Sequence, residues 1–307
     1  MRLYDPHQHR AHILQYGHDP AVVCLGYMAW TLSMLGYPDQ ALQKSNEALP
    51  LAREIGYAPS LAYALYFASF VHNWRGEWSS ALLRAQETVS FATQRELPFW
   101  LGLATFALGW TRAGQGKYED GIAQMRQGVA IYQATGARLG LSQILTALAE
   151  AHRKVGQYKE GFTVLAEADA HIETSGEYHC AAEVVRLKGE LTLVQSKVQS
   201  LAPSAQAKQK AQGKRHEAKL RSPRSLASSA SAEAGAETYF LQALDMARQQ
   251  SAKSLELRAA MSLAQLWRQQ GKIREAHNLL ADIYGWFTEG FDTADLQEAK
   301  ALLQELA

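Results

Sequence analysis

At 307 residues, 47% apolar and a formal net charge of +1, the chain has ample material for a core and no global charge drawing it to nucleic acid or a membrane surface. Two cysteines, Cys24 and Cys180, are too few and too far apart for a disulfide framework; they read as small core residues in a reducing, cytoplasmic setting. No apolar run approaches the ~18 residues that a membrane-spanning helix needs, and the first six residues are unlike a signal peptide.

Residues 1–20 read as a lead-in, with Asp5-Pro6 and Asp19-Pro20 around a short apolar signal at Ile13 and Leu14. They also hold the densest histidine cluster: His7, His9 and His12, with Asp5 and His18 nearby. A metal site needs several ligands on a rigid frame with an oriented outer shell. This segment offers no frame, so no metal and no cofactor is expected.

From residue 21 a punctuation mark recurs: Gly36-Tyr37-Pro38-Asp39-Gln40-Ala41, Gly76-Glu77-Trp78-Ser79-Ser80-Ala81, Gly116-Lys117-Tyr118-Glu119-Asp120-Gly121 and Gly156-Gln157-Tyr158-Lys159-Glu160-Gly161, at intervals of 40 residues. A glycine that ends one helix and a small residue that lets the next approach closely describe a helix pair, and a fixed period describes a stack of them. The spacing predicts helices over 21–35 and 38–55, 59–75 and 78–94, 98–115 and 118–134, and 137–155 and 158–174. Small residues keep the same step on facing surfaces: Ala29, Ser69, Gly109, Ala149 and Gly189 on first helices, Ala41, Ala81, Gly121 and Gly161 on second ones.

After a helix over 177–195 the register breaks. The next small residue of a second helix is Ala236, and phase resumes forty residues later at Ala276 in Gly271-Lys272-Ile273-Arg274-Glu275-Ala276. The break marks an insertion over 196–231 with eight basic residues against Glu217, a local charge of +7 that leaves about −6 elsewhere. Rich in Ser, Ala, Gln and Lys, it reads as a disordered surface loop. It is also the one stretch where nucleic acid or another acidic partner would bind. The second helix of pair five and pair six follow over 232–290, and a capping helix closes the chain over 291–307, with Asp292 or Thr293 as N-cap. The fold expected is all-α, a right-handed α-solenoid of about six antiparallel helix pairs.

Helix pairs with this junction resemble tetratricopeptide (TPR) repeats over residues 21–290, with a period longer than the usual ~34 residues. Residues 253–264 and 284–296 further resemble the closing segment of large bacterial proteins that join a class III nucleotide cyclase, an AAA-type ATPase and a TPR tail. The resemblance implies a regulatory or partner-binding tail, with other domains of a parent chain as possible contacts and catalytic parts elsewhere. With no polar capping unit at the start, further repeats or another domain are expected to precede Met1. Gly114-Gln115-Gly116-Lys117-Tyr118 is no P-loop, since it lacks the leading glycine and the hydroxyl after the lysine. No nucleophile and base arrangement stands out, so no enzyme activity is expected.

First helices line the concave face of such stacks. At their facing positions stand Trp30 in pair one, Tyr63, Tyr66, Phe70 and Trp74 in pair two, and Phe106 and Trp110 in pair three. Pair four places Glu150 and Arg153 there, pair five Glu183, Arg186 and Glu190, and pair six Arg258 and Arg268. The expected groove is aromatic at one end and charged at the other. It suits a protein or peptide partner such as an amphipathic helix, or alternatively an apolar effector; rings at helical spacing more often belong to a core than to a binding surface. His72 and His152 occupy equivalent positions and read as helix packing.

Overall fold

The computed structural model describes residues 12–201 and 223–307, and every regular element among them is helical. A short α1 (His12–Tyr16) leads into six pairs: α2 (Pro20–Leu35) with α3 (Pro38–Ile55), α4 (Ala58–Arg75) with α5 (Trp78–Gln94), and α6 (Pro98–Gly114) with α7 (Tyr118–Ala134). Then come α8 (Leu141–Lys154) with α9 (Tyr158–Ser175), α10 (Ala181–Leu201) with α11 (Pro223–Gln249), and α12 (Lys253–Gln269) with α13 (Ile273–Tyr284). A last helix, α14 (Ala294–Leu306), packs on α12 and α13. The result is an all-α solenoid. No helix among the described residues is long and apolar enough to cross a membrane.

The junctions show why the period holds. Gly36, Gly76, Gly116, Gly156 and Gly271 adopt φ of +78° to +93°, which a side chain would strain. The residue after each glycine donates its N–H to the carbonyl five positions back, as in Glu77 to His72 (2.9 Å) and Gln157 to His152 (3.0 Å). The two equivalent histidines do the same work here. His72 Nδ1 bonds the Glu77 carboxylate at 2.5 Å and His152 Nδ1 bonds Gln157 Oε1 at 2.6 Å, so each side chain ties off its own turn.

Between paired helices the small residues permit near contact of backbones. Ala29, Ala41, Ser69, Ala81, Ala149, Ala236 and Ala276 have no exposed surface. The tightest approach joins α6 and α7, where a Cβ on Gly128 would stand 2.3 Å from the Phe106 nitrogen and one on Gly109 2.6 Å from the Gly121 carbonyl oxygen and the Met125 nitrogen.

Several boundaries differ from those predicted. Helix α8 starts at Leu141 instead of near 137, because Gly140 at φ +74° turns the chain first. Helix α10 runs on to Leu201 and α11 begins at Pro223, so helix extends into both ends of the segment read as a disordered insertion; 202–222 lie outside the described residues. So do Asp5, His7 and His9 of the histidine cluster. Thr293 is the N-cap of α14, while Asp292 turns away to Arg75. Cys180 is buried as expected, and burial pushes its thiol up to about 11. Cys24 is exposed, a correction to its reading as core.

The stack also closes on itself, which repeat spacing alone does not foretell. The first helices pack in the order α2, α4, α6, α8, α10, α12, and α12 packs back on α2. Neighbours at the start of the stack align start to start, as where Asp19 N donates to Ser60 Oγ (2.8 Å). At the seam Ser254, near the start of α12, donates to the carbonyl of Ser33, near the end of α2 (2.6 Å). Thirteen residues separate Pro20 from Ser33, so one circuit of the ring climbs by about 20 Å at 1.5 Å per residue.

A clasp secures the seam. Trp286 and Phe287 pack over Gly36, and the Trp286 ring lies 5.4 Å from that of Tyr37. Glu289 accepts from the N–H groups of Asp39 (2.9 Å) and Gln40 (3.1 Å), capping α3 from the far end of the chain. Arg75, 4% exposed, donates to Asp39 (2.7 Å), Glu77 (2.6 Å) and Asp292 (3.1 Å). Burial raises the Glu77 carboxyl, but the hydrogen bonds and charges of Arg75 and His72 outweigh it and hold it below its ordinary value.

Two predictions follow from the packing. Gly109→Ala should destabilise by about 1–3 kcal/mol through backbone overlap, whereas Gly235→Ala, with open space around it in α11, should stabilise by about 1 kcal/mol; urea melts of both distinguish contact from propensity. Arg75→Met should cost on the order of 2 kcal/mol, less than a fully buried pair because its carboxylates can rehydrate. Amide exchange should then quicken at 36–40 and 286–296 and stay unchanged in α6 and α7.

Candidate functional site

The closed ring of first helices leaves a cavity of about 980 Å³. Its aromatic wall is built because parallel inner helices turn the same stripe inward: Trp30 from α2, Tyr63, Tyr66, Phe70 and Trp74 from α4, and Phe106 and Trp110 from α6 all line it. The rings brace one another, with Phe70 stacked on Trp74 at 5.7 Å, Trp110 tilted against Phe70 at 5.7 Å, and Tyr63 edge-on to Trp100 at 5.5 Å. The Tyr63 hydroxyl donates to the Val23 carbonyl (3.0 Å) across the gap left by Gly26. Burial raises the pKa of both Tyr63 and Tyr66, so they stay neutral phenols. Tyr16, Tyr27 and Leu139 are exposed and also line the cavity, which places an opening beside the starts of α2 and α8.

The charged positions behave differently. Arg153 grips Glu150 in its own helix (2.7 and 2.8 Å) and reaches Glu190 on α10 (3.6 Å). Arg186 holds Glu183 (2.8 and 2.9 Å) and lies 3.5 Å from Glu190, while Ser262 of α12 donates to Glu190 (2.6 Å). Arg258 bonds Glu183 (3.3 Å) and Asp295 of α14 (2.6 Å), with its guanidinium 4.9 Å above the Trp74 ring. These groups satisfy one another across α8, α10, α12 and α14. Of them, Glu150, Glu183 and Arg258 border the cavity; Arg153, Arg186 and Glu190 stand behind that wall. Arg268 pairs with Glu305 of α14, away from the cavity.

Other lining residues fall outside the facing positions expected from the repeat. Phe67 and Trp100 flank predicted positions, because inner helices converging in a closed ring expose a wider stripe than an open stack does. Trp78 and Tyr118 are the junction aromatics at period 40, and their rings reach the lining. His18 and His179 come from a lead-in and a single 3₁₀ turn (Tyr178–Cys180), where no periodicity points to them. Burial lowers the pKa of each imidazole, so both are neutral at neutral pH.

Burial alone would raise the Glu183 carboxyl, but Arg186 and Arg258 depress it from 4.5 to about 2. A depressed folded pKa gives stability that is complete above the ordinary value and disappears as pH falls through the folded one. Glu183→Gln should therefore cost about 3 kcal/mol near pH 7. Its Tm deficit against the parent should shrink below pH 4.5 and vanish near pH 2, the limits set by the two values.

No protein-family model and no curated protein matches the chain. Among solved structures it is similar to aspartyl phosphate phosphatase F from Bacillus subtilis, at 12% identity and a TM-score of 0.55, over 90% of this chain and 61% of that one. It is also similar to the apo form of RapI, at 9% identity and a TM-score of 0.48, over 93% of this chain and 85% of that one. The chain thus spans about three fifths of the phosphatase it resembles, and at 12% identity the likeness speaks to architecture: a TPR-like helical-repeat fold.

Proposed function

We propose that this protein is a non-catalytic receptor module whose ring interior holds a compact, mainly apolar ligand. The closed aromatic cavity carries this reading. Its volume of about 980 Å³ lies at the upper end of the 300–1,000 Å³ typical of small-molecule sites. Because the cavity wall crosses the seam, from Met34 and Trp74 to Leu255 and Arg258, a ligand that touches both sides favours the closed ring.

A short peptide is the second reading. Gln143, Thr146, Glu150 and Lys154 stand along one face of α8 and line the cavity opposite the rings, offering polar partners to an extended main chain. The resemblance of 253–264 and 284–296 to the tails of cyclase and ATPase signalling proteins fits either ligand. Those same stretches form the clasp, so we assign the module to the regulatory part of such a parent chain, with its other domains as the partners that sense the seam.

The uncharged fluorescent probe N-phenyl-1-naphthylamine tests the site. Wild-type protein should bind one equivalent. Ala147→Trp, which fills the interior from α8, should lose binding with circular dichroism unchanged. Retained binding in that variant would place the probe elsewhere and remove the basis for an interior site.

A further inference from the structure

We propose that the interior ligand is an uncharged planar aromatic molecule bearing one hydrogen-bonding group, which is anchored beside the Trp30–His179 contact. This deepens the receptor reading above and rests on it. The charged groups of the lining are already committed. Glu150 is held by Arg153, Glu177 accepts from the Gly140 N–H (2.8 Å) and the Ser142 hydroxyl (2.9 Å), and Glu183 and Arg258 hold each other. Lys154, half exposed at its end of the cavity, already lies 3.9 Å from Glu150.

An ion entering such a space leaves water without a waiting counter-charge, at a cost of several kcal/mol. A ring face returns about 0.5–2 kcal/mol to a cation, too little to offset it. A neutral aromatic body faces no such penalty, and edge and stacking contacts add about 0.5–1.5 kcal/mol per ring pair beyond burial.

Buried polar atoms without a partner, by contrast, stand at two points of the lining, the Trp30–His179 contact and His18 beside Tyr63 and Trp100. Trp30 Nε1, His18 Nε2 and His179 Nε2 are buried without hydrogen-bond partners, and all three residues line the cavity. The Trp30 and His179 rings meet edge to face at 4.8 Å, linking α2 to the turn before α10. An unsatisfied buried polar atom costs about 1–3 kcal/mol. A hydroxyl or carbonyl that parts this edge contact gains a donor from Trp30 and a partner from a neutral imidazole, and relieves that cost. The Tyr63 hydroxyl, by comparison, is already bonded to the Val23 carbonyl.

The experiment is displacement of N-phenyl-1-naphthylamine at pH 7 by four isosteres: 2-naphthol, naphthalene, 2-naphthoate and 2-(aminomethyl)naphthalene. The phenol should bind at least about tenfold tighter than either ion. In Trp30→Phe its advantage over naphthalene should fall about fivefold while naphthalene itself is unchanged; His179→Phe gives the same readout should the first variant fold poorly. An ion binding as tightly as the phenol overturns the ligand class and leaves the interior site standing. Equal losses for phenol and hydrocarbon overturn the anchor. Failure of the probe and all four isosteres to bind removes the interior site and the ligand class together.

Discussion

Everything inside the ring depends on one contact outside it, the seating of Trp286 and Phe287 on Gly36 with Arg75 held among Asp39, Glu77 and Asp292. A TPR-like stack is ordinarily an open superhelix with a groove along it. Here α12 returns to α2, and the groove becomes a cavity inside a ring, open beside the starts of α2 and α8. The clasp joins an apolar surface that needs exclusion of water to a buried cation that needs its carboxylates. Neither half is large, so the ring is closed at the seam by modest energies.

Closure also explains why the two ends of the lining differ. Where inner helices α2, α4 and α6 face one another, aromatic side chains meet edge to face and leave space between them. Where α8, α10 and α12 converge, Glu150, Arg153, Glu183, Arg186, Glu190 and Arg258 knit three helices together and reach α14 through Asp295. A buried ion-pair network contributes little net stability, yet it punishes misalignment of its members severely. It fixes the register of α8, α10, α12 and α14 relative to one another.

The sequence made the repeat legible because backbone geometry demands it. Gly36, Gly76, Gly116 and Gly156 must occupy left-handed φ, and Ala41, Ala81, Gly121 and Gly161 must admit a neighbouring helix, so the ruler of forty survives in plain residue types. The aromatic positions Trp30, Tyr63, Tyr66, Phe70, Trp74, Phe106 and Trp110 were legible for the same reason, being locked to that ruler. Closure was not, since it depends on the small rotation per pair summed over six pairs and on Ser33 meeting Ser254, 221 residues apart. His18 and His179 were equally invisible, because they reach the interior from irregular segments. Arg268 shows the opposite failure: its periodic position is right, but α14 offers Glu305 and takes the side chain outward.

The climb of about one helix length per circuit brings the start of α12 to the end of α2, with the clasp fitting only that offset. Adding or removing a hairpin between α2 and α12 would move α14 away from Gly76 and Glu289 away from the amides of Asp39 and Gln40. An open solenoid can gain or lose a unit and keep its other contacts, whereas here such a change between α2 and α12 breaks the seam. Extra length is accommodated where it leaves the circuit undisturbed, as at the link between α10 and α11, where the residues that break the period reside.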